Sequence, residues 1–432
     1  MSNPLTNAVN AKGSIAALNR ARLITRRYGP SPAKMARALT LFIETLRTFD
    51  CDATFPVTAV TVARHPAVLE KYQAQGIEFA IHGYTHVDYA RLAAEEQSAH
   101  LRRARQVFER AGLAATGFRS PYLQGNADLY TALQAAGFAY VSNQSIMWDV
   151  VDMATAAPPA RARYKRARAY YVPWDAAVRL SLPRFHGPLI EIPVCLPDDE
   201  MLLDRLDGQS RGLVVGAWQR ILAHTYQRGE LFTLQLHPER VGLCADALTA
   251  VLAEARALWP AVWCARLDEI AAWWAARDQA VIEIEEAGDD RFRLSVAGPT
   301  GTTVLVRGIA VDAPTTPWAD GYVLVMAETF IGQAPVRPVV GLSPRSTALA
   351  EFLRQQSYLV ETGSDPTRCA CYFDRPDWAV GQERAILLEI ETAQYPLIKI
   401  GRWPDGARSA LAITGDVDAL TIWDYGLRFL GH

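Results

Sequence analysis

Apolar positions recur along this chain in two different patterns, and the change from one to the other divides it. From residue 33 to about residue 276, short apolar runs alternate with longer stretches in which apolar residues return every three or four positions. The first pattern predicts strands and the second predicts amphipathic helices. In order these are a helix over Ala33–Leu46, a strand over Ala53–Ala59, a helix around His65–Gln75 and a strand over Ile77–Ile81. A helix over Glu95–Ala111, a strand near Ala115–Phe118, a helix over Ala127–Ala136 and a strand over Ala139–Ser142 follow. Residues 150–188 are less regular and read as a lid or substrate loop. Beyond them come a strand over Leu189–Pro193, a helix over Trp218–Gln227, a strand over Leu231–Leu236, and helices over Cys244–Ala257 and Leu267–Ala276. Strands alternating with helices through short links predict a parallel α/β arrangement.

Around Val281 the pattern shifts to period two, in Val281–Glu285, Arg291–Val296 and Thr303–Arg307, with Gly, Pro and Asp between them. A β-rich module of about 110 to 120 residues, close to ordinary domain size, is expected there. The chain therefore reads as a (β/α) unit over 1–278, a β-rich or α+β accessory module over 279–400, and a C-terminal segment, 401–432. No internal repeat or low-complexity stretch interrupts this plan.

Composition narrows the field. A chain of 432 residues, half of them apolar, can bury a large core. Its net charge of −2 points to no nucleic-acid partner. The local exception is the basic run Arg161–Arg168, which reads as a solvated face or as a contact for an anionic substrate group or a membrane surface. No apolar segment follows a basic start, and no run of some 18 apolar residues could span a bilayer. A cytoplasmic location is the expectation. Cys51, Cys195, Cys244 and Cys264 are dispersed, and Cys369 and Cys371 are too close for an easy disulfide, so buried free thiols are expected.

The chemistry concentrates in a few short motifs. His82-Gly-Tyr-Thr-His86 follows the strand-like run Gly76–Ile81, and two imidazoles four positions apart after a strand suit one divalent ion. Downstream stand Gly117-Phe-Arg-Ser-Pro-Tyr122 and Leu234-Gln-Leu-His-Pro238. This order, His-x-x-x-His, then Arg-x-Pro-Tyr, then Leu-x-His, resembles the NodB-homology polysaccharide deacetylases over roughly residues 30–275. The resemblance implies a deformed (β/α) barrel of the polysaccharide deacetylase type.

Members of that family open with a strand ending in Thr-Phe-Asp-Asp-Gly, which supplies a base and a metal ligand. The corresponding stretch here, Thr25–Pro30, has no carboxylate, and Ser14–Thr25 is spaced like a helix. Thr48-Phe-Asp-Cys-Asp52 is an unsuitable substitute. Asp50 and Asp52 precede the strand at Ala53, whereas α/β barrels gather their active sites where strands end. The better candidate is Arg408–Asp418, a short apolar strand ending in Thr-Gly-Asp-Val-Asp. The sequence thus predicts a circularly permuted barrel whose first strand, residues 409–414, comes from the C-terminus. Chain termini often lie close together, which makes such a permutation physically cheap. Strand pairing between subunits of a homo-oligomer is a variant of the same reading.

By the resemblance, a divalent ion, zinc by preference, would be held by His82, His86 and Asp418. It would polarise an amide carbonyl and acidify a water. Asp416 would be the base, oriented by Arg119, although Val417 between the two aspartates leaves their roles exchangeable. Tyr122 would offer its backbone N–H to the oxyanion, and His237 would protonate the leaving amine. Asp198 and Asp199 are candidates for orienting His237 on a looser match. The function implied is a metal-dependent hydrolase removing an N-acyl group, acetyl by preference, from an amino sugar, glycan or glycan precursor. Its alternatives are a small-amide amidase and a catalytically silent carbohydrate-binding or assembly protein.

Overall fold

The computed structural model describes residues 24–206 and 211–427. All but the last two residues of the helix expected over Ser14–Thr25 lie outside these. The apolar runs become a twelve-stranded sheet. Its strands are β1 (Ala53–Val57), β2 (Glu78–Ile81), β3 (Gly117–Phe118), β4 (Tyr140–Val141), β5 (Ser145–Met147) and β6 (Trp174–Asp175), then β7 (Arg184–His186), β8 (Leu189–Glu191), β9 (Val194–Leu196), β10 (Leu231–Leu236), β11 (Val262–Cys264) and β12 (Ser409–Gly415). The order is β6-β5-β9-β10-β12-β1-β2-β3-β4-β8-β7, with β11 also pairing β12. All pairings are parallel except β7 with β8. The sheet curls into an open barrel of the (β/α) type.

The central strands β1, β2, β10 and β12 are buried along their whole length. Each is apolar at most positions because helices cover one side and the barrel interior fills the other. Among the covering helices, α1 (Ala33–Arg47) turns Met35, Leu39, Phe42, Ile43 and Leu46 inward, a stripe at helical spacing.

The C-terminal strand enters its own chain's barrel. Leu411 stands opposite Phe232, Ile413 opposite Leu234 and Gly415 opposite Leu236, while Ile413 and Thr414 pair with Ala53 and Thr54 on the other side. Gly415 fits there because a Cβ would lie 2.5 Å from the Phe55 ring and 2.9 Å from that of Phe42. Trp403, completely buried, anchors the returning segment by donating its indole N–H to the Gly229 carbonyl and packing on Trp274.

Between the helix Leu267–Arg277 and β12, the chain forms three small sheets. Two are antiparallel and four-stranded, in keeping with the period-two pattern. The third joins Arg337–Leu342, Val360–Thr362 and Cys369–Phe373 in parallel. The helices Thr347–Gln355 and Glu383–Thr392 belong to the same segment, so it is α+β there rather than purely β-rich. Arg384 reaches Glu230 at 2.8 Å and Arg179 reaches Glu383 at 2.7 Å, tying this segment to the barrel.

The expected irregular stretch 150–188 contains instead the fourteen-residue helix α2 (Pro158–Tyr171). Five basic residues break its apolar pattern. The stripe that it buries, Ala160, Tyr164 and Ala167, is narrow but helically spaced. Cys264 and Cys369 are half-buried rather than buried; all six thiols are free. Among the described residues, no helix is long and apolar enough to cross a membrane.

Candidate active site

The chemistry-bearing side chains lie just past the ends of adjacent parallel strands. His82 follows β2, Arg119 follows β3, His237 follows β10, and Asp416 and Asp418 follow β12. His82, Arg119 and Asp416 are still held by a ladder hydrogen bond to the neighbouring strand. The amide of His82 donates to the Val57 carbonyl, that of Arg119 to Ile81 and that of Asp416 to Leu236, all at 2.9 Å. Parallel strands in register therefore deliver all these residues to one rim of the barrel, where α/β folds build sites. Asp50 and Asp52 lie before β1, at the opposite end. Asp50 is exposed and paired with Arg256.

His82 and His86 converge because the loop between them turns sharply. Gly83 has φ +80°, and a Cβ on it would stand 2.8 Å from the Tyr89 ring. Only glycine fits both the dihedral and the space. His82 Nδ1 lies 2.8 Å from the Arg119 carbonyl oxygen. A carbonyl can only accept, so Nδ1 carries the proton and Nε2 presents a lone pair. That lone pair faces Asp418 Oδ1 at 3.5 Å, and His86 Nε2 faces the same oxygen at 3.2 Å. Both imidazoles are almost fully buried.

Three donors aimed at one point are the arrangement that a divalent cation requires. Ligand atoms about 2.0–2.2 Å from a tetrahedral centre stand roughly 3.3 Å apart, close to the two separations observed here. The hydrogen bond from His82 to a backbone carbonyl is the kind of support that fixes ring orientation in metal sites. The donor set, two imidazoles and a carboxylate, suits zinc and its first-row neighbours.

Beside this triad lies a second carboxylate with a different environment. Asp416 is buried; its Oδ1 accepts from Arg119 Nη1 and its Oδ2 from Gln235 Nε2, both at 2.8 Å. Arg119, with no exposed surface, is itself fixed by Thr414 Oγ1, Ser142 Oγ and the Ser142 carbonyl. Its Nε and Nη2 grip Ser142, and that hold aims Nη1 at the Asp416 carboxylate. His82 Nε2 is 4.0 Å from Asp416 against 3.5 Å from Asp418, so the two aspartates differ in both distance and partners.

His237 completes the rim. Its Nδ1 lies 2.7 Å from Asp199 Oδ1, while its backbone N–H donates to Asp199 Oδ2 at 2.7 Å. Burial opposes charge on the imidazole, but the Asp199 carboxylate and its hydrogen bond outweigh burial and lift the ring to about 10. Asp198 is also completely buried, and burial together with the Asp199 charge pushes it up to about 7. Asp199, rather than Asp198, is therefore the partner of His237. The sequence placed Asp199 among candidates only loosely, gave Thr414 and Gln235 no role although both stand inside the quoted motifs, and gave no signal for Ser142. Those three are ordinary polar residues whose roles depend on strand register.

Tyr122 has φ +63° and ψ +9°, and Leu123 is also left-handed, a strained pair for residues with a Cβ. The Tyr122 ring stands edge-on to that of His86, with centroids 4.6 Å apart, at the mouth of the site. All seven residues singled out from the motifs thus reach the same rim of the barrel.

Known proteins fit this picture. Residues 28–141, which include His82, His86, Arg119 and Tyr122 but not the C-terminal aspartates, match the family model described as polysaccharide deacetylase. Similar solved structures include a Mycobacterium smegmatis protein described as a polysaccharide deacetylase, at 22% identity, covering 62% of this chain and 84% of that one with a TM-score of 0.42. A Pseudomonas aeruginosa PAO1 protein of the same description has 19% identity, with 55% and 72% covered and a TM-score of 0.43. The PuuE allantoinase has 20% identity, the same coverages and a TM-score of 0.43. Superpositions this loose say nothing about the site, whose description rests on its own geometry. The family match spans 114 of the 432 residues, so it is over residues 28–141 that the chain is similar to polysaccharide deacetylases.

Proposed function

We propose that this protein is a metal-dependent hydrolase that removes an N-acyl group, acetyl by preference, from an amino sugar, glycan or glycan precursor. The observation that carries the reading is the convergence on one barrel rim of a His82–His86–Asp418 donor triad with two groups each fixed by an oppositely charged partner. One of these, Asp416, is held by Arg119, and the other, His237, is held by Asp199. A divalent cation bound by the triad, zinc by preference, supplies Lewis acidity toward the amide carbonyl and toward a water molecule.

The chain's own residues supply the proton transfers. Asp416, oriented by Arg119 and Gln235, takes a proton from the attacking water. His237, protonated at neutral pH, gives its Nε2 proton to the nitrogen as the carbon–nitrogen bond breaks, so that an amine and a carboxylic acid leave. The Tyr122 backbone N–H, aimed by its left-handed conformation, faces the oxygen on which negative charge develops. The shorter distances from His82 and His86 to Asp418 than from His82 to Asp416 support Asp418 as the ligand and Asp416 as the base. The position of β12 between β10 and β1 supports reading the barrel as a circularly permuted form of the family's.

The deciding experiment measures bound metal by elemental analysis in the wild type and in Asp418→Ala, His82→Ala and Asp52→Ala. Stoichiometric metal in the wild type and Asp52→Ala, lost from the other two, is expected, together with acetate release from N-acetylated sugars. Absence of metal from every form after reconstitution with zinc would overturn the reading and leave a carbohydrate-binding protein.

A further inference from the structure

Two of the six free thiols meet at the end of the barrel away from the metal triad, where hydrolysis of an amide gives them no work. Strands β11 and β1 both run parallel to β12 and pair with it. Cys264, the last residue of β11, stands opposite Leu411, and Ala53, the first residue of β1, stands opposite Ile413. Read back two residues, that register sets Cys51 level with Leu411 as well. Strand β10 occupies the other edge of β12, so β11 and β1 share one edge end to end, and the two cysteines lie at the joint.

The sulfurs interact there. The Cys51 thiol is shared between the Cys264 sulfur and the Phe49 carbonyl oxygen, the latter 3.4 Å away. The hydrogen bond from Cys51 and the Arg256 guanidinium hold the Cys264 thiol below its ordinary value against the opposing effect of burial, whereas the same bond and burial raise Cys51. Both thiols line a cavity of about 250 Å³ with Phe49, Asp50, Trp263 and Arg256, room enough for several water-sized molecules. Cys264 is half-buried and Cys51 buried, so a small reagent entering the cavity meets Cys264 first. Nucleophile and partner thiol are thus set side by side, the more acidic one on the accessible side.

We propose that Cys264 and Cys51 form a modification site at which a hydroperoxide produces a reversible disulfide, stapling the end of β11 to the start of β1. The Cys264 thiolate attacks the peroxide; the O–O bond breaks, one oxygen stays on sulfur as a sulfenic acid, and the other leaves as water once protonated. Cys51 gives up its proton and its sulfur attacks Cys264, so that the S–S bond forms and the sulfenic oxygen departs as a second water. Two thiols lose two electrons and two protons, and the peroxide takes up both. The bridge closes a long stretch of chain and so restricts the unfolded state. From Leu411 to Asp416 the strand runs roughly 16 Å, which leaves the metal triad outside its reach. The proposal is independent of the hydrolase reading.

The test exposes the reduced full-length protein to a slight excess of hydrogen peroxide, blocks remaining thiols with N-ethylmaleimide and maps peptides by mass spectrometry without reduction. A peptide pair joined through Cys51 and Cys264, separated again by dithiothreitol, is expected. In Cys51→Ser, Cys264 is expected to gain two oxygens and stop as the sulfinic acid, because no thiol resolves it. The bridged wild type is expected to unfold at a higher urea concentration than the reduced protein, and Cys264→Ser to show no shift on the same treatment. Unmodified Cys51 and Cys264, a bridge between Cys369 and Cys371 in their place, or sulfinic acid at Cys264 of the wild type with no bridge would overturn the proposal. A bridge that leaves the urea midpoint unmoved would overturn its part as a staple.

Discussion

Replacing Asp199 by Asn tests the electrostatics of the site most directly. His237 titrates at about 10 in the folded protein against an ordinary 6.5. At about 1.4 kcal/mol for each tenfold change, that difference amounts to on the order of 5 kcal/mol in favour of the imidazolium. Burial acts against the charged ring, so the preference comes from Asp199, whose two oxygens each sit 2.7 Å from a nitrogen of His237. Because the folded value is raised, the stabilisation is fully present below about 6.5 and is lost as pH rises through about 10. In Asp199→Asn the charge is gone and burial dominates, so His237 should titrate below 6.5 and be neutral at pH 7. Ring-nitrogen NMR across pH 5–11 reads the titration, and urea unfolding at pH 6, 8 and 10 reads the energy. The stability gap between wild type and variant should be largest at pH 6 and shrink toward pH 10. A variant whose His237 still titrates above pH 8, or a gap independent of pH, would refute the assignment of Asp199 as the residue that keeps the ring charged.

Arg119→Met should destabilise the protein by about 3–5 kcal/mol in thermal or chemical unfolding, because a buried Asp416 loses its arginine partner. Arg119→Lys keeps the charge but not the fork to Ser142, so kcat should fall at least about ten-fold with KM little changed. Gly83→Ala must accommodate φ +80° and a 2.8 Å approach to Tyr89. Zinc affinity by chelator competition should weaken by about ten-fold or more. Glu191, buried and raised to about 7 from 4.5, makes the wild type lose about 3 kcal/mol as pH rises from 4.5 through 7 and then level off. Glu191→Gln should remove that slope from unfolding curves measured at pH 5 and 8.

Much of this site was visible without coordinates because its residue types and spacings are unusual. Two histidines around a glycine, an Arg-Ser-Pro-Tyr run and two aspartates after a short apolar strand each stand out against ordinary loop composition. The strand Leu231–Leu236 was legible to the residue because four of its six positions are apolar and a glycine stands two residues before it. By contrast, Ser145–Met147 and Val194–Leu196 are three-residue strands that no periodicity can announce. Helix α2 was hidden by its own arginines, since only three of its fourteen residues are buried.

The sequence alone determined which chemistry this chain could carry: a two-histidine donor pair, a detached aspartate pair, and an alternation of strand and helix that dictates a parallel barrel. Tertiary structure decided how those parts meet. It placed Ser409–Gly415 between the strands at Leu231 and Ala53, so that aspartates far along the chain face His82 and His86. It also chose Asp199 over Asp198 for His237 and assigned Arg119 to Asp416. The physical reason is that local pattern sets the period of each element, while partner choice depends on strand register and burial. Both are properties of the assembled sheet.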